Sequence, residues 1–174
     1  MIKSNVRIKT IDWKKRKPIY DLEGCMFVDP GFFTGITFFE DGFQTIQLEL
    51  SKDTKEAQLK DKHIELWKDF KSIINLKDPQ KVYFEDVTVR DDQQSLVSAK
   101  SGNLLKLDRL LGGYQAICTM LDIPYSTIRV VDWKGNMNDE QVQHRIKWLT
   151  GLEFDSPHVA DSFGMSLNEM GIFK

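Results

Sequence analysis

Cys25-Met26-Phe27-Val28-Asp29-Pro30-Gly31 reads as a buried strand that stops on an acid. Gly24 opens the run. Pro30 then fixes φ and lacks a backbone donor, and Gly31 permits positive φ, so the ladder must turn there. Gly35-Ile36-Thr37-Phe38-Phe39 resumes as a second strand, and Asp41-Gly42 is a hairpin signal. Thr45-Ile46-Gln47-Leu48-Glu49-Leu50 alternates apolar and polar with period two, which marks a third strand. Three strands joined by short turns predict an antiparallel meander.

Downstream the pattern changes to alternating helices and strands. Leu59, His63, Leu66, Phe70, Ile73 and Ile74 recur at spacings of three and four, predicting a helix over 54–74 that Asp78-Pro79 breaks. Val82-Tyr83-Phe84 is a short apolar strand ending at Glu85, and 88–100 read as a polar loop. A second helix over 102–121 carries a stripe of Leu104, Leu107, Leu111, Gln115 and Cys118, widened by Leu110 and Tyr114. Its apolar residues occupy more than one face and Gly112-Gly113 allow close approach, so one side suits the sheet and the other a second copy of the chain, a homodimer. Ile128-Arg129-Val130-Val131 reads as a fifth strand. Two closing helices are capped by Asn138, with Asp139 and Glu140 in the first turn, and by Ser156, with Pro157 at the first helical position. The order predicts an α/β fold: a mixed five-stranded sheet, a three-strand antiparallel meander followed by parallel strands, with helices on both faces.

The 174 residues suit one domain, and 41% hydrophobic with 29% charged side chains excludes a disordered, collagenous or fibrous chain. No stretch approaches the roughly 18 apolar residues of a membrane span. Two cysteines in apolar surroundings, Cys25 and Cys118, neither build a disulfide framework nor fill a four-cysteine zinc site, and they suit a reducing, cytoplasmic compartment. The net charge of -2 is unevenly spread. Residues 1–24 hold seven basic against three acidic side chains, a net +4, which leaves -6 for the rest. This basic arm has neither the apolar core nor the cleavage site of a secretory signal, and the expected division is an arm over 1–24 and a domain over 25–174. Lys14-Lys15-Arg16-Lys17 within it suits a phosphate patch, a nuclear signal or a solvated stretch.

Asp29 and Glu85 each end an apolar strand, where open sheets place ligands. Asp161 lies one turn into the last helix, and His158 precedes it by three residues on the same helical face. Singly, each has an ordinary structural explanation. Together, three carboxylates converging from two strands and a helix would repel and need a counter-charge. A hard divalent cation such as Mg²⁺ supplies one and prefers oxygen ligands. A pair of such ions would stabilise both the attacking and the leaving oxygen of a phosphoryl displacement, with His158 completing the shell or moving a proton.

These residues resemble a known family. Val28-Asp29-Pro30-Gly31 followed by Gly35 is similar to the opening motif of RuvC-like Holliday junction resolvases, within the ribonuclease H-like fold. Val82-Tyr83-Phe84-Glu85 resembles that family's second acidic strand, and His158-Val159-Ala160-Asp161-Ser162 its closing motif. Gln141-Val142-Gln143-His144 with Trp148-Leu149 resembles the helix before that motif, and Gly112-Gly113-Tyr114-Gln115-Ala116 stands at the family's central helix. The resemblance spans about residues 25–170 and suits a phage or similar mobile-element protein. It implies a dimeric, Mg²⁺-dependent crossover junction endodeoxyribonuclease of recombination and repair. Such an enzyme uses two ions per site, accepts Mn²⁺ in place of Mg²⁺, and leaves 5′-phosphate nicks in four-way DNA. Asp29, Glu85, Asp161 and His158 would form the metal site. Lys134, in Trp133-Lys134-Gly135, resembles the basic residue that contacts the scissile phosphate. Two departures stand out. Thr88 replaces the aromatic residue that several relatives carry three positions past the strand glutamate, and Asp139-Glu140 stand where some relatives carry a second lysine. The arm, through Lys14, Lys15, Arg16 and Lys17, would then supply DNA phosphate contacts, and forks or flaps would join four-way junctions as substrates. Two other readings compete: a branched-DNA-binding protein of the same fold without catalysis, and a lobe of an actin-like ATPase, which would need roughly twice this length.

Overall fold

The computed structural model describes residues 22–50, 58–87 and 102–173. The meander forms as its alternation demands: β1 (Cys25–Asp29), β2 (Phe33–Phe38) and β3 (Gln44–Glu49) pair antiparallel in sequence. Helix α1 (Leu59–Lys77) follows, then β4 (Lys81–Asp86), α2 (Asn103–Met120) and β5 (Tyr125–Arg129). β4 lies parallel to β1 and β5 parallel to β4, so the sheet order is β3-β2-β1-β4-β5. A short turn of helix, α3 (Val130–Trp133), leads to α4 (Asp139–Thr150) and α5 (Pro157–Glu169). Among the described residues no helix is long and apolar enough to cross a membrane.

Strand alternation divides the core in two. Met26, Val28, Val82 and Phe84 face α1 and α2, where Leu66, Phe70, Leu110, Leu111 and Tyr114 cover them. Phe27 points the other way, into a layer completed by Val142 and Ile146 of α4 and by Ala160, Phe163 and Leu167 of α5. Period two therefore sends Asp29 and Glu85 to the α5 side of the sheet. Leu22, the first of the described residues, already joins that second layer.

Helix α5 lies directly on β2. Every residue from Val159 to Leu167 is buried, and the alternate small residues Ala160, Ser162, Gly164 and Ser166 let the helix sit close. Closest of all is Gly35: a Cβ there would stand 2.0 Å from the His158 carbonyl oxygen and 2.7 Å from the Val159 nitrogen. One hydroxyl pair, Thr37 Oγ1 to Ser162 Oγ at 2.9 Å, ties the two elements.

Three sequence expectations shift. Helix α1 begins at Leu59 and runs to Lys77, where Asp78 stops it in the left-handed region at φ 46° and donates its N–H to the Ile74 carbonyl. The positions 51–57 lie outside the described residues. On α2 full burial begins only at Leu110, and Leu104 and Leu107 stay half-exposed. The expected fifth strand over 128–131 is instead Tyr125–Arg129, and Val130-Val131 turn into helix. β-propensity loses there to a local closure. Arg129 grips Asp132 through two hydrogen bonds of 2.8 and 2.9 Å, and the Lys134 N–H donates to the Val130 carbonyl at 3.0 Å.

The two glycines of α2 differ. A Cβ on Gly113 would meet Trp67 Nε1 at 2.1 Å, and that indole donates to the Leu110 carbonyl at 3.1 Å. Gly113 thus serves α1–α2 packing, while a Cβ on Gly112 would meet nothing within 4 Å among the described residues. Gly35→Ala is expected to cost more than about 2 kcal/mol in denaturant unfolding, because strand and helix backbones must separate. Gly112→Ala should instead gain up to about 1 kcal/mol as an open helical position.

Candidate active site

β1 and β4 are parallel neighbours paired through Phe27–Tyr83 and Val28–Phe84. One step on stand two acids, Asp29 at the end of β1 and Glu85 one residue before the end of β4, and the shared parity aims them at the same side. The first turn of α5, seated over Gly35, brings Asp161 down to them. One carboxylate oxygen from each of Asp29, Glu85 and Asp161 lies within 4.8 Å of the other two. Asp29 and Asp161 are each only 6% exposed.

Each acid has a dedicated partner. The His158 ring meets Asp29 Oδ2 through Nδ1 at 2.7 Å. The Trp133 indole N–H donates to Glu85 Oε1 at 3.0 Å. The Lys134 ammonium contacts Asp161 Oδ2 closely and lies 3.9 Å from Glu85 Oε1. Asp161 Oδ1 is buried with no hydrogen-bond partner among the described residues.

The electrostatics follow from this crowding. Burial, then the Asp161 charge, pushes Asp29 up to about 7. Burial and Asp29 push Glu85 up to about 8. Burial raises Asp161 to about 6 although Lys134 pulls the other way. Burial also works against the Lys134 ammonium, but Glu85 and Asp161 outweigh it and hold its pKa above the ordinary value. His158 is lowered by burial despite the acids around it, so its imidazole is neutral near pH 7. With Asp29 ionised, Nδ1 carries the hydrogen and Nε2 keeps its lone pair.

Three hard oxygen donors within 4.8 Å, a buried carboxylate oxygen lacking any donor, and three carboxyls all displaced upward describe a site short of positive charge. The donor set fits a divalent cation of the Mg²⁺ type. His158 stands beside this trio rather than within it: the three-residue spacing suggested a pair with Asp161, yet its bond goes to Asp29. Lys134, which resembles a basic residue contacting the scissile phosphate, is 9% exposed and turned toward Asp161. Lys14, Lys15, Arg16, Lys17 and Thr88 lie outside the described residues.

Several supporting residues escaped the sequence reading. Trp133 passes across Gly164, where a Cβ would come within 2.6 Å of its ring, and so reaches Glu85. The Asp29-Pro30-Gly31 turn is held by Thr34, whose Oγ1 donates to the Gly31 carbonyl at 2.5 Å. Tyr114 Oη, on the α2 side of the sheet, meets the same Oγ1 at 2.9 Å. Phe33, 45% exposed, stacks on the His158 ring at 6.3 Å and leaves an aromatic face beside the acids. The Trp-Lys-Gly sequence after β5 was the one visible signal. Its indole was hidden because Trp133 and Glu85 are 48 positions apart.

The raised carboxyls set the sign of the pH dependence. Each binds its proton more tightly folded than unfolded, so the folded state carries the excess protons between about pH 4 and pH 8, and stability falls as pH rises through that window. In metal-free protein, Tm is expected to drop between pH 5 and pH 8.5 more steeply in the wild type than in Glu85→Gln. The variant should melt about 2–4 °C higher at pH 8.5 in differential scanning calorimetry. Equal slopes in the two proteins would contradict the crowding.

No protein-family model matches the chain, and no curated protein matches it. Solved structures do. The Thermus thermophilus RuvC structure superposes with a TM-score of 0.57 at 15% identity, covering 85% of this chain and 96% of that one. T. thermophilus RuvC in complex with a Holliday junction substrate gives 0.56 at 14%, over the same shares. The yeast mitochondrial Holliday junction resolvase gives 0.49 at 16%, over 90% and 83%. The likeness to RuvC over nearly its whole length, together with the sheet order above, shows that this chain has the ribonuclease H-like fold of the RuvC resolvases.

Proposed function

We propose that the chain is a structure-selective DNA endonuclease that hydrolyses phosphodiesters in four-way junctions and other branched DNA with the help of divalent metal. The observation that carries this reading is the convergence of Asp29, Glu85 and Asp161 within 4.8 Å on a fold shared with RuvC, one of whose structures holds a Holliday junction substrate. Asp29, Glu85 and Asp161 would hold Mg²⁺ or Mn²⁺, two ions in the working site. When bound, such ions supply the positive charge that activates water for in-line attack and steadies the departing 3′ oxygen, leaving a 5′-phosphate.

The protein's own groups do the rest. Asp29 orients the His158 ring, whose neutral Nε2 is placed to take a proton. Trp133 fixes Oε1 of Glu85 and with it the set of that carboxylate beside Lys134. The basic arm, through Lys14, Lys15, Arg16 and Lys17, would follow the DNA backbone outside the domain that begins near residue 25. Pairing of two copies would set two nicks in opposed strands. The outward side of α2 suits that role, with Leu105 63% and Met120 77% exposed and Gly112 open between them.

Asp29→Asn should keep affinity for four-way DNA in a gel-shift assay while nicking falls by at least about a thousandfold. Wild-type protein should nick four-way, three-way and flap substrates ahead of linear duplex, and EDTA should stop it. Cleavage by Asp29→Asn at the wild-type rate would remove the carboxylate cluster from the chemistry.

A further inference from the structure

Lys134 is placed where a phosphate-contacting lysine has no need to be. Its side chain is 10% exposed, and its ammonium lies inside the acidic cluster against Asp161, 3.9 Å from Glu85. Two local features hold it there. The α3 turn closes through the Lys134 N–H and the Val130 carbonyl, and the Trp133 ring lies 5.0 Å from Nζ. Asp161 thus offers one oxygen to the ammonium while its other, Oδ1, is buried without a donor. The ammonium offsets one charge and stands against two of the three carboxylates that an incoming cation would use.

We propose that Lys134 is a resident counter-cation of the acidic cluster, displaced from Asp161 when a divalent ion enters and thereby released toward the anionic substrate. This rests on the reading of the cluster as a divalent-cation site and adds an order to it: metal first, then the lysine on the phosphate. Without metal, the lysine lowers the repulsion among the acids. With metal, two positive charges a few ångströms apart cannot share the same oxygens. At that separation in a protein-like dielectric their repulsion weakens ion binding by well over about tenfold. The cluster would therefore favour an ion strong enough to expel an ammonium.

The test uses the full chain without DNA. Mn²⁺ binding is followed at pH 8.5 by the electron paramagnetic resonance of the free ion, in wild type, Lys134→Met and Lys134→Gln. Methionine keeps the apolar stem beside Trp133, and glutamine keeps a donor for Asp161. Both variants are expected to bind Mn²⁺ at least about tenfold more tightly than wild type. Equal or weaker binding in both overturns the proposal while leaving the metal site intact. No binding by any of the three proteins overturns the metal reading and the proposal with it. A second measurement needs no variant: an amine-acylating reagent read by peptide mass spectrometry should label Lys134 several-fold faster when Mn²⁺ is present. Unchanged labelling of Lys134 alongside measured Mn²⁺ binding overturns the displacement even where neither variant folds.

Discussion

The first turn of α5 rests on β2 with no side chain between the two backbones. A Cβ on Gly35 would stand 2.0 Å from the His158 carbonyl oxygen, so only glycine is compatible with that contact. Much of the site's geometry depends on it. Gly35 pairs across the sheet with Asp29, and the residue lying on Gly35 is His158. The 2.7 Å bond between His158 and Asp29 follows directly, and Asp161 arrives one turn later over the same strand ends. The contact thus converts a helix packed on a sheet into a ring of ionisable groups. Serine and alanine farther along α5, with Gly164 opposite Trp133, keep the helix low enough for that ring to close.

Closure has an electrostatic cost that the protein meets only in part. Lys134 offsets one charge, and burial pushes all three carboxyls toward their neutral forms. Asp161 Oδ1 is left without a donor among the described residues. An unsatisfied buried carboxylate oxygen is expensive, and a fold optimised for stability alone would fill the space with apolar side chains. Buried groups kept at the expense of stability mark functional sites, where the missing charge comes from a ligand. The partial compensation is informative too. Lys134 and Trp133 come from one short turn, α3, and each binds a different acid. That single turn therefore sets both the neutrality and the orientation of the centre.

Much of the fold was legible because its signals are local. Pro30 and Gly31 ended β1, Asp41-Gly42 turned the hairpin, and the caps at Asn138 and Ser156 placed α4 and α5 correctly. The acids at strand ends were legible for the same reason, since an acid closing an apolar run is visible in a few residues. What stayed hidden depends on distance along the chain. Nothing near Trp133 says that its indole crosses Gly164, and nothing near Tyr114 says that its hydroxyl reaches Thr34, 80 positions away. The misread fifth strand has the same origin. Val130-Val131 favour a strand by propensity, but the Arg129–Asp132 pair and the burial of Trp133 favour a helical turn, and only the folded chain supplies that burial.

The alignment of Asp29 with Glu85 needs its own explanation, because a slip of one residue between β1 and β4 would send one acid to the opposite face. Two rings prevent it on the side that bears the site. Phe27 and Tyr83 stand directly opposite across the parallel pair and stack at 4.8 Å with planes 4° apart. On the other face Val28 pairs with Phe84, whose ring packs against Phe70 and Tyr114. A slip would bury the Glu85 carboxylate in the apolar layer under α1 and break both stacks at once. The register is thus decided by the residues just before the acids, and the carboxylates inherit their separation from it. Tyr114 adds a second constraint from the same layer, since its hydroxyl holds Thr34 and through it the turn that follows Asp29. The apolar face beneath α2 thereby helps fix the position of an acid on the opposite face.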